Sequence, residues 1–102
     1  MATHYDIAKI LTISTAHITE ETSNALNRDP HENNLGLSVY DKSDYGWFIY
    51  ISETEKESLQ REDTNMPADL KACFELAIKN DCEWLCLDCD VPEYDELPTY
   101  DW

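Results

Sequence analysis

Apolar residues along the chain follow two spacings, and each spacing predicts one kind of element. Residues 7–13, 35–39, 47–51 and 83–87 are short apolar or alternating runs, which predict four strands. Residues 18–26 and 70–78 repeat their apolar positions at intervals of three and four, which predicts two amphipathic helices. Polar segments containing Pro30, Gly46 and Pro67 separate these runs. The predicted order is strand, helix, strand, strand, helix, strand.

This order predicts an α+β fold of the ferredoxin-like βαββαβ type, a four-stranded antiparallel sheet with two helices on one face. A length of 102 residues suits one domain, so residues 1–102 are predicted to fold as a single unit. The acidic tail formed by residues 90–102 also carries Tyr94, Leu97, Tyr100 and Trp102. We expect this aromatic tail to pack on the domain and to cover part of the open face of the sheet.

The balance of charge narrows the range of partners. The chain has 22 acidic and 7 basic residues, for a net charge of -15. Phosphate binding needs a basic surface, so we expect no direct binding to nucleic acid or to anionic membranes. A basic protein surface is the expected partner. The sequence shows no export signal and no apolar run long enough to cross a bilayer, which predicts a cytoplasmic protein with reduced cysteines.

The acidic residues concentrate towards the C-terminus, where residues 81–102 hold eight acids and no bases. Such runs are usually solvated surface that promotes solubility. A more specific hypothesis is mimicry of DNA, because carboxylates on a rigid surface can occupy the basic groove of a DNA-binding protein. Interleaved aromatic side chains would supply apolar anchors. The predicted partner-binding residues are Glu83, Asp88, Asp90, Glu93, Tyr94, Asp95, Glu96, Tyr100, Asp101 and Trp102.

Two motifs raise the alternative of metal chemistry. Cys82, Cys86 and Cys89 have spacings that partly match zinc sites, but strand alternation would send Cys86 and Cys89 to opposite faces. Asp88 and Asp90 form an Asp-x-Asp pair after a predicted strand, an arrangement that can share Mg²⁺. The residues after Asp90 include no Lys or Arg to complete a catalytic site. We therefore predict no enzyme, no metal and no cofactor.

Four stretches of the sequence, ISTAHIT (13–19), YGWFI (45–49), WLCLDCD (84–90) and LPTYDW (97–102), carry a family resemblance. In these stretches the chain resembles a group of small uncharacterised bacterial proteins carried on plasmids, prophages and integrated elements. The group has no known catalytic residues, so the resemblance transfers no site. It implies a mobile-element setting, where small acidic proteins often resemble anti-restriction or anti-CRISPR inhibitors.

Three hypotheses follow from the sequence. The leading one is an acidic protein-binding module, in its specific form a DNA mimic that inhibits a nucleic-acid-binding host defence enzyme. The second is a small metal-binding protein or metal-dependent enzyme that uses Asp88, Asp90 and nearby cysteines. The third is a structural or dimerisation module that forms a homodimer through the open sheet face.

Overall fold

The computed structural model describes residues 7–27, 38–53, 56–57 and 66–101 of the chain. Four strands and two helices position the surfaces discussed below. They are β1 (Ile10–Ser14), α1 (Glu20–Asn27), β2 (Ser38–Lys42), β3 (Gly46–Tyr50), α2 (Ala68–Lys79) and β4 (Trp84–Asp88), with a 3-10 turn (Thr15–His17) between β1 and α1.

The sheet is mixed, with strand order β1-β4-β3-β2. β2 pairs with β3 and β3 pairs with β4 in antiparallel fashion, whereas β1 and β4 are parallel. The α+β class is therefore confirmed. The prediction of a fully antiparallel sheet is wrong for the β1–β4 pair, and the ferredoxin-like arrangement, which needs four antiparallel strands, is not confirmed.

The direction of β4 follows from where α2 ends. The backbone N–H of Ile51, directly after β3, donates to the Glu83 carbonyl at 2.8 Å. α2 ends at Lys79 and a tight turn at Asn80 and Asp81 follows, so β4 begins beside the end of β3. β4 then runs back along β3 and parallel to β1. The hydrophobic pattern could not reveal this direction, because it depends on which end of the sheet α2 approaches.

One face of the sheet packs against the helices. Along the ladder, Ile13 is opposite Leu87 and Ile49 is opposite Leu85, and all four side chains are fully buried. Leu70 and Phe74 of α2 complete this core from the helical side. Each such side chain contributes roughly 1.5–3 kcal/mol by leaving water, so this face accounts for much of the stability of the fold.

Polar side chains fix the start of α1 and join it to α2. The Thr19 hydroxyl accepts a hydrogen bond from the Thr22 backbone N–H at 3.2 Å, as an N-cap residue does. The Thr19 backbone N–H donates to the buried carboxylate of Asp69 at 2.8 Å. Because Asp69 lies in the first turn of α2, its carboxylate ties together the N-terminal ends of the two helices.

The other sheet face carries large apolar side chains that no described element covers. Tyr40 is 55% exposed, Ile10 is 44% exposed and Tyr50 is 41% exposed, while Phe48 and Trp84 are half-buried. These five side chains, Ile10, Tyr40, Phe48, Tyr50 and Trp84, are called the aromatic face below.

The described part of the tail packs elsewhere, along the free edge of β1 and on the 3-10 turn. The Tyr94 hydroxyl donates to the Thr12 carbonyl at 3.1 Å, and the Tyr100 N–H donates to the Ala16 carbonyl at 2.9 Å. Leu97 is buried in the main core. The prediction that the tail covers part of the open sheet face is therefore wrong for its described residues 90–101. The outer carbonyls of an edge strand need partners, and the tail supplies one for β1.

No helix within the described ranges combines the length and apolar character needed to cross a membrane.

Candidate partner-binding surface

A groove of about 580 Å³ lies between the start of α1 and the end of the tail. We call it the acidic groove. Its described lining residues are Thr19, Glu20, Glu21, Asn24, Thr99, Tyr100 and Asp101. The lining includes three carboxylates from two separate elements, and none of these described residues is basic. The three carboxylate residues are all exposed, so their charges can act on a partner.

His17 fixes the tail wall of this groove. Its ring is 1% exposed, and its Nε2 atom accepts the Tyr94 backbone N–H at 2.9 Å. Nε2 therefore carries no proton, and Nδ1 donates to the Pro98 carbonyl at 2.9 Å. The imidazole and the Tyr94 ring are nearly parallel, at an interplanar angle of 7°. One buried side chain thus holds the tail at two points four residues apart.

The structure separates the predicted partner-binding residues into groups. Tyr100 and Asp101 line the acidic groove, whereas Tyr94 and Glu96 line a second depression that includes Lys79. Asp90, Glu93 and Asp95 are exposed. Glu83 is half-buried and accepts the Lys9 backbone N–H at 2.9 Å. Trp102 lies outside the described residues.

Asp88 is the predicted contact residue that the structure removes from the surface. It is 7% exposed, and its carboxylate forms an ion pair with the Lys42 ammonium. Its second oxygen accepts the Asp90 backbone N–H at 2.8 Å. These two hydrogen bonds lower the pKa of Asp88, with the bond from Lys42 as the larger cause. The charge of Asp88 is therefore already paired inside the protein, and the prediction that Asp88 contacts a partner stays untested.

The same pairing bears on the metal alternative. Among the described residues, one set of possible ligands lies within 4.8 Å of one another: Asp88, Cys89 and Asp90. Both Asp88 oxygens already have partners, so an ion there would have to displace the Lys42 ammonium or the Asp90 N–H. Cys73 and Cys82 belong to the main core and lie apart from this set, whereas Cys86 lies on the same face of β4 as Asp88, with its Sγ 3.7 Å from the Lys42 ammonium.

Two of the thiols, Cys73 and Cys89, also lack the features of a nucleophile. A reactive cysteine needs a pKa that is lowered by nearby positive charge. Burial raises the pKa of Cys73 to about 12, with a further contribution from Asp69. Cys89 is exposed, but desolvation and the neighbouring carboxylates of Asp90 and Asp88 raise its pKa too. Neither thiol is poised for covalent chemistry at neutral pH.

The lysines of the described residues lie outside the acidic groove. Lys42 pairs with Asp88, and the Lys9 ammonium donates to the Asn80 carbonyl at 2.7 Å. Lys71 and Glu75 are neighbours on one face of α2, with 4.0 Å between Nζ and the nearest carboxylate oxygen. Glu20, Glu21 and Asp101 appear in none of these pairs, so no described basic side chain compensates the negative charge of the groove.

Residues 10–102 match the family model described as the C-terminal domain of a family of unknown function, DUF5983. The chain belongs to this family. No curated protein and no solved structure matches the chain. The expectation of an uncharacterised family is thus confirmed. Because the function of the DUF5983 family is unknown, membership in it assigns no activity to this domain. The function has to be argued from the groove itself.

Sequence reasoning did not assign Glu20, Glu21 or the supporting residue His17 to this site. In the sequence, Glu20 and Glu21 indicated only the start of a helix. His17 lies in the same segment, but no second histidine follows it together with an acidic residue at the spacing of a known metal-binding motif. The sequence signal for this wall of the groove was the adjacent pair Glu20 and Glu21 at a predicted helix start. It did not stand out, because acidic residues are frequent along the whole chain. That signal could not show that residues about 80 positions later would form the opposite wall.

Proposed function

We propose that this chain is an acidic protein-binding module whose acidic groove receives a basic segment of a partner protein. The observation that carries the proposal is the convergence of Glu20 and Glu21 of α1 with Asp101 of the tail on one groove, without a described basic residue in its lining. A charge run that only keeps a protein soluble has no need for such convergence.

Rigid placement of the carboxylates supports this function. The contacts of His17 and of the Tyr100 N–H order the tail before any partner arrives. A partner then does not have to bear the entropic cost of ordering that wall. Glu20 and Glu21 lie in the first turn of α1, where the positive end of the helix dipole stabilises negative charge. A stable acidic surface of this kind favours fast association that weakens as salt increases.

The charge also defines the chemistry of the partner. Guanidinium and ammonium groups are the natural occupants, and proteins display them in clusters where they bind nucleic acid. In its specific form, the proposal is that the chain mimics DNA and inhibits a nucleic-acid-binding defence enzyme in the cytoplasm of a bacterial host. The setting on a mobile element comes from the sequence resemblance and remains part of the proposal.

A competition assay tests the proposal. The chain is titrated into DNA complexes of a panel of restriction enzymes and CRISPR effectors, and DNA release is followed by fluorescence anisotropy at several salt concentrations. The proposal expects release from at least one complex, with an apparent affinity that falls steeply as salt rises. Absence of release across the panel, or release that is indifferent to salt, would count against it.

A further inference from the structure

The aromatic face is the main exposed apolar surface of the described residues. The Tyr40 and Trp84 rings lie 5.8 Å apart, and the Tyr50 ring meets Trp84 edge-on at 5.2 Å. A shallow depression of about 430 Å³ runs between Ile10, Tyr40, Phe48 and Trp84, with Ala8 at its border. Contiguous apolar patches of a few hundred Å² on a protein surface usually mark an interaction site.

The described strand positions of this face carry no net charge, although the molecule as a whole is strongly acidic. Lys42 and Asp88 provide the charges on the strand positions that share the face, and they neutralise each other. The Lys42 ammonium additionally lies 5.4 Å from the centroid of the Phe48 ring. A basic partner would gain nothing here beyond apolar contact, in contrast to the acidic groove.

We infer that the occupant of the aromatic face is the same face of a second copy of the chain. A two-fold arrangement presents one surface to itself, so a neutral apolar patch meets another neutral apolar patch. Two sheets packed in this way lie about 10 Å apart, with their side chains interdigitated. The tyrosine hydroxyls can remain hydrated at the rim of such an interface while their rings are buried. The acidic groove involves other elements and stays available for its partner.

The exposed area sets the strength of this association. Large side chains of this kind bury roughly 200 Å² each when fully covered, so the exposed fractions leave on the order of 400 Å² per copy. A standard interface buries about 800 Å² per partner. The dimer is therefore weak and forms at high protein concentration.

Salt separates this association from binding at the acidic groove. Two copies with a charge of -15 repel each other, and added salt screens that repulsion. Self-association should therefore strengthen with salt, whereas binding of a basic partner should weaken. Because the two salt dependences have opposite signs, an experiment can reject self-association without rejecting binding at the acidic groove, and the reverse.

Sedimentation velocity of the full chain tests the inference, from about 10 μM to 1 mM protein and from roughly 50 to 500 mM NaCl. We expect reversible dimerisation that increases with both variables. Tyr40→Glu, on the aromatic face, should lower the association constant at least about tenfold. The matched control is Tyr45→Glu, which places the same charge on a similarly exposed tyrosine in the β2–β3 turn and should dimerise like wild type.

Circular dichroism confirms that both variants remain folded before they are compared. A wild-type chain that stays monomeric at the highest protein and salt concentrations would overturn the inference and leave the face for a different protein. An equal loss of dimer in Tyr40→Glu and Tyr45→Glu would overturn it as well, because the contact would then not lie on the aromatic face.

Discussion

The ammonium of Lys42 on β2 reaches across β3 to the carboxylate of Asp88 on β4. Lys42, Gly46 and Asp88 occupy one level of the ladder, and Gly46 has no side chain to separate the other two. The pair closes one end of the sheet and removes from the surface an acid that the sequence placed in a binding motif. It also gives the fold a defined response to acid.

Acidification should weaken the fold through Asp88. Its pKa in the folded state is lowered, chiefly by the hydrogen bond from Lys42, from an ordinary value of 3.8. The stabilising contribution is therefore fully present above about pH 4–5 and is lost as the pH falls through the lowered folded-state pKa. Urea unfolding of wild type and Asp88→Asn between pH 2 and 7 should show a shallower acid-induced loss in the variant. Asp90→Asn keeps the backbone N–H that Asp88 accepts and should retain the wild-type slope.

Replacement of Gly46 by alanine should destabilise the protein by at least about 3 kcal/mol. A Cβ atom at this position would lie 1.7 Å from the Leu87 carbonyl oxygen, and the φ angle of 154° disfavours a side chain. Denaturant titration measures the loss. Ser43→Gly in the same turn is the control, because Ser43 has a φ of 52° that glycine adopts freely. It should leave the free energy of unfolding within about 1 kcal/mol of wild type. Similar effects of the two substitutions would contradict the close contact at Gly46.

Thiol labelling should distinguish one cysteine from the other three. Cys89 is exposed, whereas Cys73, Cys82 and Cys86 are buried. In the native protein, a disulfide-exchange reagent should modify Cys89 before the other cysteines. The reaction should still be slower than for an ordinary exposed thiol, because the pKa of Cys89 is raised. The others should react only when the protein unfolds, and Cys89→Ser should abolish the early phase. Early labelling of Cys73 would contradict its burial and its pKa of about 12.

Substitution of His17 should loosen the tail without changing a single carboxylate. His17→Gln loses at least one of the two contacts to the Tyr94 N–H and the Pro98 carbonyl, at a cost of roughly 1–3 kcal/mol for the buried group left unpaired. Hydrogen exchange should accelerate at residues 94–100. Tyr94→Phe removes only the exposed hydroxyl contact with Thr12 and should cost about 1 kcal/mol or less. Equal exchange rates in His17→Gln and wild type would show that His17 does not hold the tail.

The sequence predicted local elements better than their assembly. Helix α2 (Ala68–Lys79) covers residues 70–78, where the apolar spacing predicted a helix. The apolar spacing of Trp47, Ile49 and Ile51 correctly predicted their burial on one face. The first strand was predicted less well: it begins at Ile10 rather than Ile7, and a 3-10 turn precedes α1.

Long-range contacts account for what could not be predicted. Lys42 and Asp88 are 46 positions apart, and no periodicity along the chain links them. His17 and Pro98 are separated by 81 positions. The acidic groove depends on such pairings, because they bring the tail against α1. An excess of acid in the tail was visible in the sequence, but the other wall of the groove was not.

The affinity of matched charge variants for one basic partner tests the central claim most directly. The groove variant carries Glu20→Gln, Glu21→Gln and Asp101→Asn. Its control carries Asp41→Asn, Asp44→Asn and Asp81→Asn, which remove the same charge from exposed positions outside the groove. Each variant is titrated calorimetrically with a DNA-binding protein that the chain releases from DNA in the competition assay, or with an oligoarginine peptide. The titrations give the dissociation constants of the groove variant and of its control. We expect the groove variant to bind about tenfold more weakly than the control, from roughly 0.5 kcal/mol for each of three lost surface ion pairs. Equal affinities of the two variants would show that net charge alone attracts the partner, and would contradict the acidic groove as the binding site.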